Sequence, residues 1–344
     1  MRNLRVGIIG CGQMARNHAV AYQALNGVEL VAAHDHDDRA ADRFCADFGI
    51  RRAGLSELLE TVDAVSVCTW PASHAALTLA ALQAGVHVLC EKPPATNADE
   101  AAEMLEMAGK QGLVLTYGLL YRHVFRDIAG LVTDVGRPYK INAKWLRRFG
   151  FPSWSATGYL HSSGGALTDL GVHMIDLALY LLGNPDPTLV HAAAWNHRTQ
   201  EFYGQDTSTD DSAFVFIRLD NGCSVVVDVA YSTDMTDDEH VSVEVQGSRG
   251  TLLLAVPTTQ TTFTPELFPR FHRCDETSSS FSLVSRRPRL VREAIQDQLA
   301  DFCDAVRTGQ PPLVPASEAV TLQRILDLAV LSAQTKNRTI GVNA

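Results

Sequence analysis

A glycine-containing turn near the start of the chain has the residue types and spacing needed to hold a dinucleotide. The run GCGQMA occupies positions 10–15, directly after an apolar strand-like segment and directly before a helical pattern. Gly10 allows a tight turn, Gly12 lets a pyrophosphate approach the backbone, and the small Ala15 permits close packing of helix on strand. The helix amides then face the phosphates. The residues of this turn expected at the cofactor are Gly10, Gly12, Gln13 and Met14.

Asp35 bears on which dinucleotide the turn would hold. It follows the apolar run LVAAH about 20 residues further on, where an acidic residue accepts hydrogen bonds from the adenosine ribose hydroxyls. A carboxylate at this place repels a 2′-phosphate, and no arginine follows it immediately. His36 and Arg39 are close enough in sequence to soften that preference. The sequence therefore favours NAD, with NADP as the less favoured cofactor.

Lys92 stands in the run CEKPP, at the point where a predicted parallel strand ends. Ligands of open α/β sheets bind beyond the carboxyl ends of the strands, which would put Lys92 near the nicotinamide, with Glu91 as its nearest charge. A lysine is usually a solvated surface group, but the apolar run before this one and the two prolines after it favour a functional role. The Lys92-Pro93 bond is also a candidate cis peptide.

Asp169 and His173 lie four residues apart in the run GGALTDLGVHMID at positions 164–176. On a helix this spacing puts both side chains on one face and assembles an acid–imidazole pair. Two other interpretations are a helix-capping aspartate beside a buried, hydrogen-bonded histidine, and a pair of metal ligands. A metal needs more ligands than this pair supplies, and no second cluster is evident, so we expect no metal. We favour an acid–base role for the pair.

Length, charge and cysteine spacing limit the class of protein in which these residues act. The 344 residues carry 29 Lys+Arg against 39 Asp+Glu, which gives a formal charge of −10. This acidity argues against nucleic-acid binding, which needs clustered basic residues. The seven cysteines include no CxxC pair and no signal-peptide pattern is present, so a cytoplasmic protein with reduced thiols is expected. The uncharged stretch 64–90 is interrupted by polar residues and Pro71, so no membrane span is predicted.

The first 118 residues alternate short β-branched runs with longer helical patterns, which is typical of a parallel sheet covered by helices. Runs such as VGII and AVSVC lack polar alternation, as expected for strands that are buried on both faces. We therefore predict a doubly wound α/β domain over residues 1–120. Its predicted strands are 5–9, 29–34, 64–68, 87–90 and 113–117, and its predicted helices are 14–25, 39–48, 73–84 and 97–111.

After Tyr117 the pattern changes to one of half-exposed strands. Apolar and polar positions alternate over 139–145, which indicates an antiparallel strand, and the turn Asp220-Asn221-Gly222 predicts a hairpin. We predict a second, α+β domain over 121–344, with a large, mostly antiparallel, open-faced sheet. Further predicted strands are 189–195, 212–219, 224–230, 241–246 and 251–256, and predicted helices are 121–132, 166–182, 291–307 and 318–334.

Two parts of this second domain have alternative interpretations. Its closing helices would cover one face of the sheet or pack back onto the first domain. The stretch 257–285, rich in Thr, Ser, Pro and Phe, is long for a structureless loop, and it is a candidate arm against another subunit.

The runs GCGQMA, EKP and GGALTDLGVHMIDLALYLLG, in this order, resemble the glucose-fructose oxidoreductase / inositol dehydrogenase family, also called Gfo/Idh/MocA. The resemblance extends over nearly the whole chain. The run TWPASH at 69–74 is similar to the family's TP-x-x-x-H turn, and the Tyr121-Arg122 pair also matches. The departures are Ala15 in place of a third glycine and Trp70 before Pro71, which changes the wall beside the nicotinamide.

The resemblance implies an N-terminal Rossmann domain and an NAD(H)-dependent oxidoreductase that interconverts a secondary alcohol and a ketone on a sugar, aminosugar or cyclitol. Lys92 and His173 would be the acid–base pair, and Asp169 would bind substrate hydroxyls or the imidazole. Further cofactor contacts are expected from Thr69, Trp70, Pro71, His74, Glu91 and Lys92, and substrate contacts from Lys92, Tyr121, Arg122, Arg147, Trp154, Asp169 and His173.

Other functions of the same fold stay open. One is action on a non-sugar substrate such as a dihydrodiol or a linear tetrapyrrole. Another is a non-catalytic dinucleotide-binding sensor, which would need neither the EKP lysine nor the D-x-x-x-H pair. Open sheets tend to be covered and similar proteins pair through that face, so a homodimer or homotetramer formed through the C-terminal sheet is expected.

Overall fold

The apolar and amphipathic runs fold into the elements of two compact units, seen in a computed structural model. The first unit comprises Met1–His123 and Arg292–Gln323, and the second comprises Val124–Val291 and Arg324–Ala344. In the part of the chain that the structure describes, no helix is both long and apolar enough to cross a membrane. The described residues are 2–150, 165–203, 209–256, 270–274, 279–283, 291–335 and 338–342.

Residues 2–123, all of them described, build a six-stranded parallel sheet in the order β3-β2-β1-β4-β5-β6. Strand β4, with the sequence AVSV, is buried along its whole length, as expected for a central strand between two layers of helices. The strands are β1 (Leu4–Ile9), β2 (Val28–His34), β3 (Arg51–Arg52), β4 (Ala64–Val67), β5 (His87–Cys90) and β6 (Leu115–Tyr117). The helices that follow them are α1 (Gln13–Ala24), α2 (Asp38–Phe48), α3 (Leu55–Thr61), α4 (Pro71–Gln83) and α5 (Ala98–Gln111), and α6 (Tyr121–Phe125) lies at the boundary of the unit.

The described residues of the second unit form a nine-stranded mixed sheet in the order β14-β13-β12-β11-β7-β10-β9-β8-β15. Among these strands β7 and β10 run parallel, and the other neighbouring pairs are antiparallel. The strands are β7 (Pro138–Arg147), β8 (Pro187–Trp195), β9 (Ser212–Leu219), β10 (Ser224–Ala230), β11 (Glu239–Gly247), β12 (Gly250–Val256), β13 (Arg270–Cys274), β14 (Ser279–Leu283) and β15 (Ile340–Gly341). The helices are α7 (Val172–Leu181), α8 (His197–Tyr203), α9 (Val291–Thr308) and α10 (Ala316–Gln334), of which α9 and the first part of α10 belong to the first unit.

The α/β fold with a parallel N-terminal sheet and a mostly antiparallel C-terminal sheet is thus confirmed. The predicted hairpin is present between β9 and β10, where Gly222 has φ +84° and the Leu219 N–H donates to the Cys223 carbonyl at 3.0 Å. The predicted cis bond is also present at Lys92-Pro93.

The structure differs from the predicted elements in several places. Strands β3 and β15 and helices α3 and α8 were not predicted, because each is too short to produce a clear periodicity. The predicted helix 121–132 consists of α6 and a separate 3₁₀ turn at Ala129–Val135. The predicted helix 166–182 begins with a π-helical turn, Leu167–Gly171, before α7. Within the stretch 257–285, β13 and β14 extend the sheet beyond β12.

Candidate active site

The cofactor residues predicted in the first unit lie on the loops that follow β1, β2, β4 and β5 or in the first turns of α1 and α4. Backbone hydrogen bonds tie these loops to neighbouring strands: the Gly10 N–H donates to the His34 carbonyl at 2.8 Å, and the Cys68 N–H donates to the Ile9 carbonyl at 2.7 Å. Because the sheet is parallel, all four loops leave it at the same edge. This is the edge at which open α/β sheets bind ligands.

The two glycines of the first turn have different physical roles. Gly10 has φ +91°, and a Cβ there would lie 2.8 Å from the Cys68 carbonyl oxygen, so both conformation and space require glycine. Gly12 precedes α1, and a Cβ on it would meet nothing within 4 Å. Ala15 is fully buried against the sheet. The open space over Gly12 beside the first amides of α1 fits a pyrophosphate, as the sequence predicts.

Asp35 is held rigidly beside this turn. Its Oδ2 accepts the Cys11 N–H at 2.7 Å, and its Oδ1 accepts the Asp37 N–H at 2.9 Å and lies 3.0 Å from His36 Nδ1. The carboxyl group therefore has a fixed orientation next to the glycines. A fixed carboxylate of this kind fits the ribose diol of a dinucleotide.

The 69–74 turn is linked to the EKP loop through His74. This ring is fully buried, with Nδ1 2.9 Å from the Pro93 carbonyl oxygen and Nε2 3.0 Å from the Thr69 carbonyl oxygen. Burial lowers the pKa of His74, an effect that these backbone contacts partly oppose. Pro71 begins α4, and Trp70 before it is 44% exposed. His74 therefore holds the 69–74 turn and the EKP loop together, and its contact with a cofactor stays a prediction.

Lys92 follows β5, next to a buried carboxylate. Glu91 is 5% exposed, and its Oε1 lies 3.1 Å from Nε2 of the fully buried His18. Burial by itself raises the pKa of Glu91, but the hydrogen bond to His18 and the charges of His18 and Lys92 lower it below its usual value. A negative charge is therefore held directly beside the predicted catalytic lysine. His18 was not predicted from the sequence, although a histidine on the buried face of α1 is a recognisable signal.

In the second unit, Asp169 lies in the π-helical turn and His173 lies in the first turn of α7. The Tyr231 hydroxyl, just beyond β10, donates to Asp169 Oδ2 at 3.0 Å. The indole of Trp145 packs on the imidazole of His173, with ring centroids 5.8 Å apart and an interplanar angle of 39°. π-helical turns inside helices are frequent at functional sites. The second unit thus holds both members of the predicted pair with side chains from the sheet.

Arg147, a predicted substrate residue, takes part in the support of Trp145. Glu239 Oε1 accepts hydrogen bonds from Trp145 Nε1 at 2.7 Å and from Arg147 Nε at 2.8 Å, and the guanidinium lies 5.1 Å from the indole centroid. The sequence did not predict the contacts of Trp145 and Tyr231 with the Asp169/His173 pair, or the support of Trp145 by Glu239, because they depend on how β7, β10 and β11 pair.

Asp210 anchors the start of the helical segment that carries Asp169 and His173. Its Oδ2 accepts the Leu167 N–H at 2.8 Å, and its backbone carbonyl accepts the Ala166 N–H at 3.1 Å. Burial raises the pKa of Asp210 to about 6, although the hydrogen bond from Leu167 opposes that shift. A Cβ on Gly165 would lie 2.0 Å from the Asp210 carbonyl oxygen, so glycine is required for this contact.

The remaining predicted substrate residues are Tyr121, Arg122 and Trp154. Tyr121 and Arg122 are buried at the start of α6, and the Arg122 guanidinium forms an ion pair with Glu318 of α10 within the first unit. A direct substrate contact for either residue stays a prediction. Trp154 lies outside the described residues. Among the residues that the structure describes, no group of three or more His, Cys, Asp or Glu could hold a metal ion.

Comparison with known proteins identifies the family. The model of the GFO_IDH_MocA oxidoreductase family, NAD-binding Rossmann fold, matches residues 4–119, and that of its C-terminal alpha/beta domain matches residues 133–342. The chain belongs to the Gfo/Idh/MocA oxidoreductase family. The resemblance expected from the sequence motifs is therefore confirmed, and so is an oxidoreductase with an NAD-binding Rossmann domain.

Individual members of the family are similar over much or all of the chain. It is 31% identical over 356 residues to D-glucoside 3-dehydrogenase of Escherichia coli (strain K12), which covers 97% of each chain. It is 28% identical over 256 residues to glucose-6-phosphate 3-dehydrogenase of Bacillus subtilis (strain 168), covering 71% of this chain and 72% of the relative. The solved structure of GenD2 from gentamicin A biosynthesis in complex with NAD is 26% identical, with a TM-score of 0.80 and coverage of 100% of this chain and 97% of the other.

Proposed function

We propose that the protein is an NAD(H)-dependent dehydrogenase that interconverts a secondary alcohol and a ketone on a sugar, aminosugar or cyclitol. The observation that carries the proposal is the similarity, over 97% of each chain, to an enzyme named D-glucoside 3-dehydrogenase. Since the two relatives compared above are both named 3-dehydrogenases, the hydroxyl at carbon 3 of a glucose unit is the first reaction to test.

The proton transfer is assigned to side chains of this chain. In the oxidative direction, a ring nitrogen of His173 accepts the proton of the substrate hydroxyl, and the Lys92 amine donates a hydrogen bond to the same oxygen. Asp169, held by the Tyr231 hydroxyl, orients the imidazole or a neighbouring substrate hydroxyl. NAD, when bound, supplies the acceptor for the hydride.

The catalytic assignment is tested by removing each acid–base group. We expect Lys92→Ala and His173→Ala each to lower kcat by about 100-fold or more, because general acid–base catalysis contributes at least that factor. NAD reduction would be followed by absorbance with methyl glucoside, glucose 6-phosphate, myo-inositol and UDP-N-acetylglucosamine as substrates. NAD affinity would be measured by titration in each variant.

Matched controls are Lys110→Ala, which removes an exposed lysine of the first unit, and His191→Ala, which removes a histidine of the second unit. Unchanged turnover in both active-site variants would overturn the assignment. Binding of NADH with no turnover of any substrate in the panel would favour the sensor or a non-sugar substrate such as a dihydrodiol.

The choice of NAD over NADP is tested at Asp35. We expect Asp35→Ala to weaken NAD binding by about tenfold, since one charge-assisted hydrogen bond is lost, and to weaken NADP binding less or not at all. The measurement is the ratio of the two Kd values, and equal losses for both cofactors would contradict the preference. A cytoplasmic location and a homodimer or homotetramer formed through the second sheet stay predictions.

A further inference from the structure

A chain of buried polar side chains crosses the first unit from α1 to the loop of Lys92. The Tyr22 hydroxyl lies 2.7 Å from Ser66 Oγ, which lies 3.1 Å from His18 Nδ1, and His18 Nε2 lies 3.1 Å from Glu91 Oε1. Tyr22, Ser66 and His18 are fully buried, and Glu91 is nearly so. The chain ends at Lys92, whose backbone N–H donates to Glu91 Oε2 at 3.2 Å.

The ionised carboxylate at one end fixes the direction of its hydrogen bond with His18. Glu91 has a lowered pKa, so it only accepts, and His18 Nε2 must carry the hydrogen between them. The other ring nitrogen, His18 Nδ1, lies between Ser66 Oγ at 3.1 Å and Cys68 Sγ at 3.5 Å. Burial raises the pKa of Tyr22 well above its usual value, so its hydroxyl stays protonated in the hydrogen bond that it shares with Ser66. Each polar atom along this path has the partner that it needs.

The position that packs against the Glu91 carboxylate has room only for a glycine. Gly118, just after β6, packs directly on it, and a Cβ on that glycine would lie 2.5 Å from Glu91 Oε1. Its own N–H donates to the Cys90 carbonyl at 2.8 Å, so this backbone cannot move away freely. A buried ionic pair is rarely more stabilising than apolar side chains of similar volume. Stability alone therefore does not account for the pair.

We propose that His18 is a positioning residue for Lys92, which it places by holding the Glu91 carboxylate that accepts the lysine's backbone N–H. The proposal rests on the proposed function, because Lys92 must act at the reacting centre. His18 touches neither substrate nor cofactor in this role. It links α1 to the backbone of Lys92, because both contact the Glu91 carboxylate.

The test is a comparison of kcat with cofactor affinity in variants of His18. We expect His18→Leu to lower kcat by about 10- to 100-fold, because a displacement of about 1 Å of a catalytic group has an effect of that size. NAD affinity should stay within about threefold of the wild type. His18→Gln, whose amide can still donate to Glu91, should recover most of the loss.

The matched control is Tyr22→Phe. It removes a buried hydrogen bond of the same chain but leaves His18 and Glu91 in contact, so kcat should stay within about threefold. If His18→Leu, His18→Gln and Tyr22→Phe lower kcat by the same factor, the chain has only a structural role and the proposal is wrong.

A second variant covers the case in which His18→Leu does not fold, since it leaves a carboxylate buried without its partner. The double variant His18→Leu/Glu91→Met replaces the pair with apolar side chains of similar size, which proteins tolerate well. We expect it to fold, to bind NAD and to show the same loss of kcat. A folded double variant with wild-type kcat would overturn the proposal.

A double-mutant cycle with Lys92 separates this proposal from the proposed function. If His18 acts through Lys92, then Lys92→Ala/His18→Leu should have the same kcat as Lys92→Ala alone. A further loss of tenfold or more in the double variant would refute the positioning role. Full activity of Lys92→Ala would instead refute the catalytic role of the lysine, and with it the basis of this proposal.

Discussion

The glycine turn at 10–15 and the helical segment at 167–181 are built in opposite ways. The turn offers a ligand backbone amides and empty space, and its conformation is set by glycines that are neighbours in sequence. The helical segment offers two side chains, and its contacts come from residues in or next to strands that are distant in sequence, namely Trp145, Tyr231 and Asp210.

The difference reflects what cofactor binding and acid–base catalysis each require of a protein. A pyrophosphate needs only donors and room, which a short stretch of backbone can supply. An acid–base group needs an orientation and a proton affinity, and these depend on packing and on nearby charges. Within the turn, we therefore expect one substitution to change only cofactor affinity and another to change only stability. Around the helical segment, we expect substitutions to change turnover and the pH dependence of stability.

The largest expected effect is loss of cofactor binding in Gly12→Val. The added side chain fills the space that a pyrophosphate would occupy, and Gly12 has φ −81°, which valine adopts without strain. We expect the Kd for NAD to rise by about 100-fold or more, which corresponds to roughly 2.7 kcal/mol. The melting temperature without cofactor should not change. Titration with NADH and thermal unfolding measure the two effects.

Gly10→Ala is the contrasting control from the same turn. Its positive φ and its contact with the Cys68 carbonyl oxygen predict a loss of about 2–4 kcal/mol in the free energy of unfolding. If Gly12→Val unfolded as easily as Gly10→Ala, the distinct roles of the two glycines would be refuted.

A second, intermediate effect is expected at Asp210, which should make stability depend on pH. Its folded-state pKa of about 6 exceeds that of an unfolded aspartate, so its contribution is present at low pH and is lost as pH rises through about 4 to 6. Each pKa unit corresponds to about 1.4 kcal/mol. We expect the free energy of unfolding of the wild type to fall by roughly 2–3 kcal/mol over this range relative to Asp210→Asn.

Chemical denaturation at several pH values measures this difference. The asparagine keeps the shape and an acceptor for the Leu167 N–H but does not titrate, so constant offsets between the two proteins cancel. Parallel curves of unfolding free energy against pH would contradict the assignment.

The smallest expected effect is at Tyr231, which donates to Asp169. Tyr231→Phe removes one hydrogen bond of about 1 kcal/mol, so kcat/KM should fall by about three- to tenfold with NAD affinity unchanged. Tyr139→Phe is the matched control, because that tyrosine is exposed on β7. Equal activities of Tyr231→Phe, Tyr139→Phe and the wild type would show that Asp169 needs no such support.

Sequence patterns predicted the elements that have a clear period and contact few distant groups. Strands β9 and β10 have the predicted bounds, and helices α1, α2, α4 and α5 begin and end within two residues of theirs. The failures have local causes. Helix α3 is only seven residues long, and the helical pattern over 166–182 does not distinguish i+4 from i+5 hydrogen bonding, so the π-helical turn was missed.

The amino-acid sequence by itself determined the parallel first sheet, the mostly antiparallel second sheet and the glycine turn, because these follow from periodicity and from residues that are adjacent in the chain. It also indicated the family, through the resemblance of three short motifs. Tertiary structure alone decided which groups surround the chemistry. His18 meets Glu91 only because the fold brings α1 next to the end of β5, and Trp145 meets His173 only because β7 packs against α7. Residues that meet only in the folded protein have no fixed spacing in sequence, so no local sequence pattern predicts their contacts.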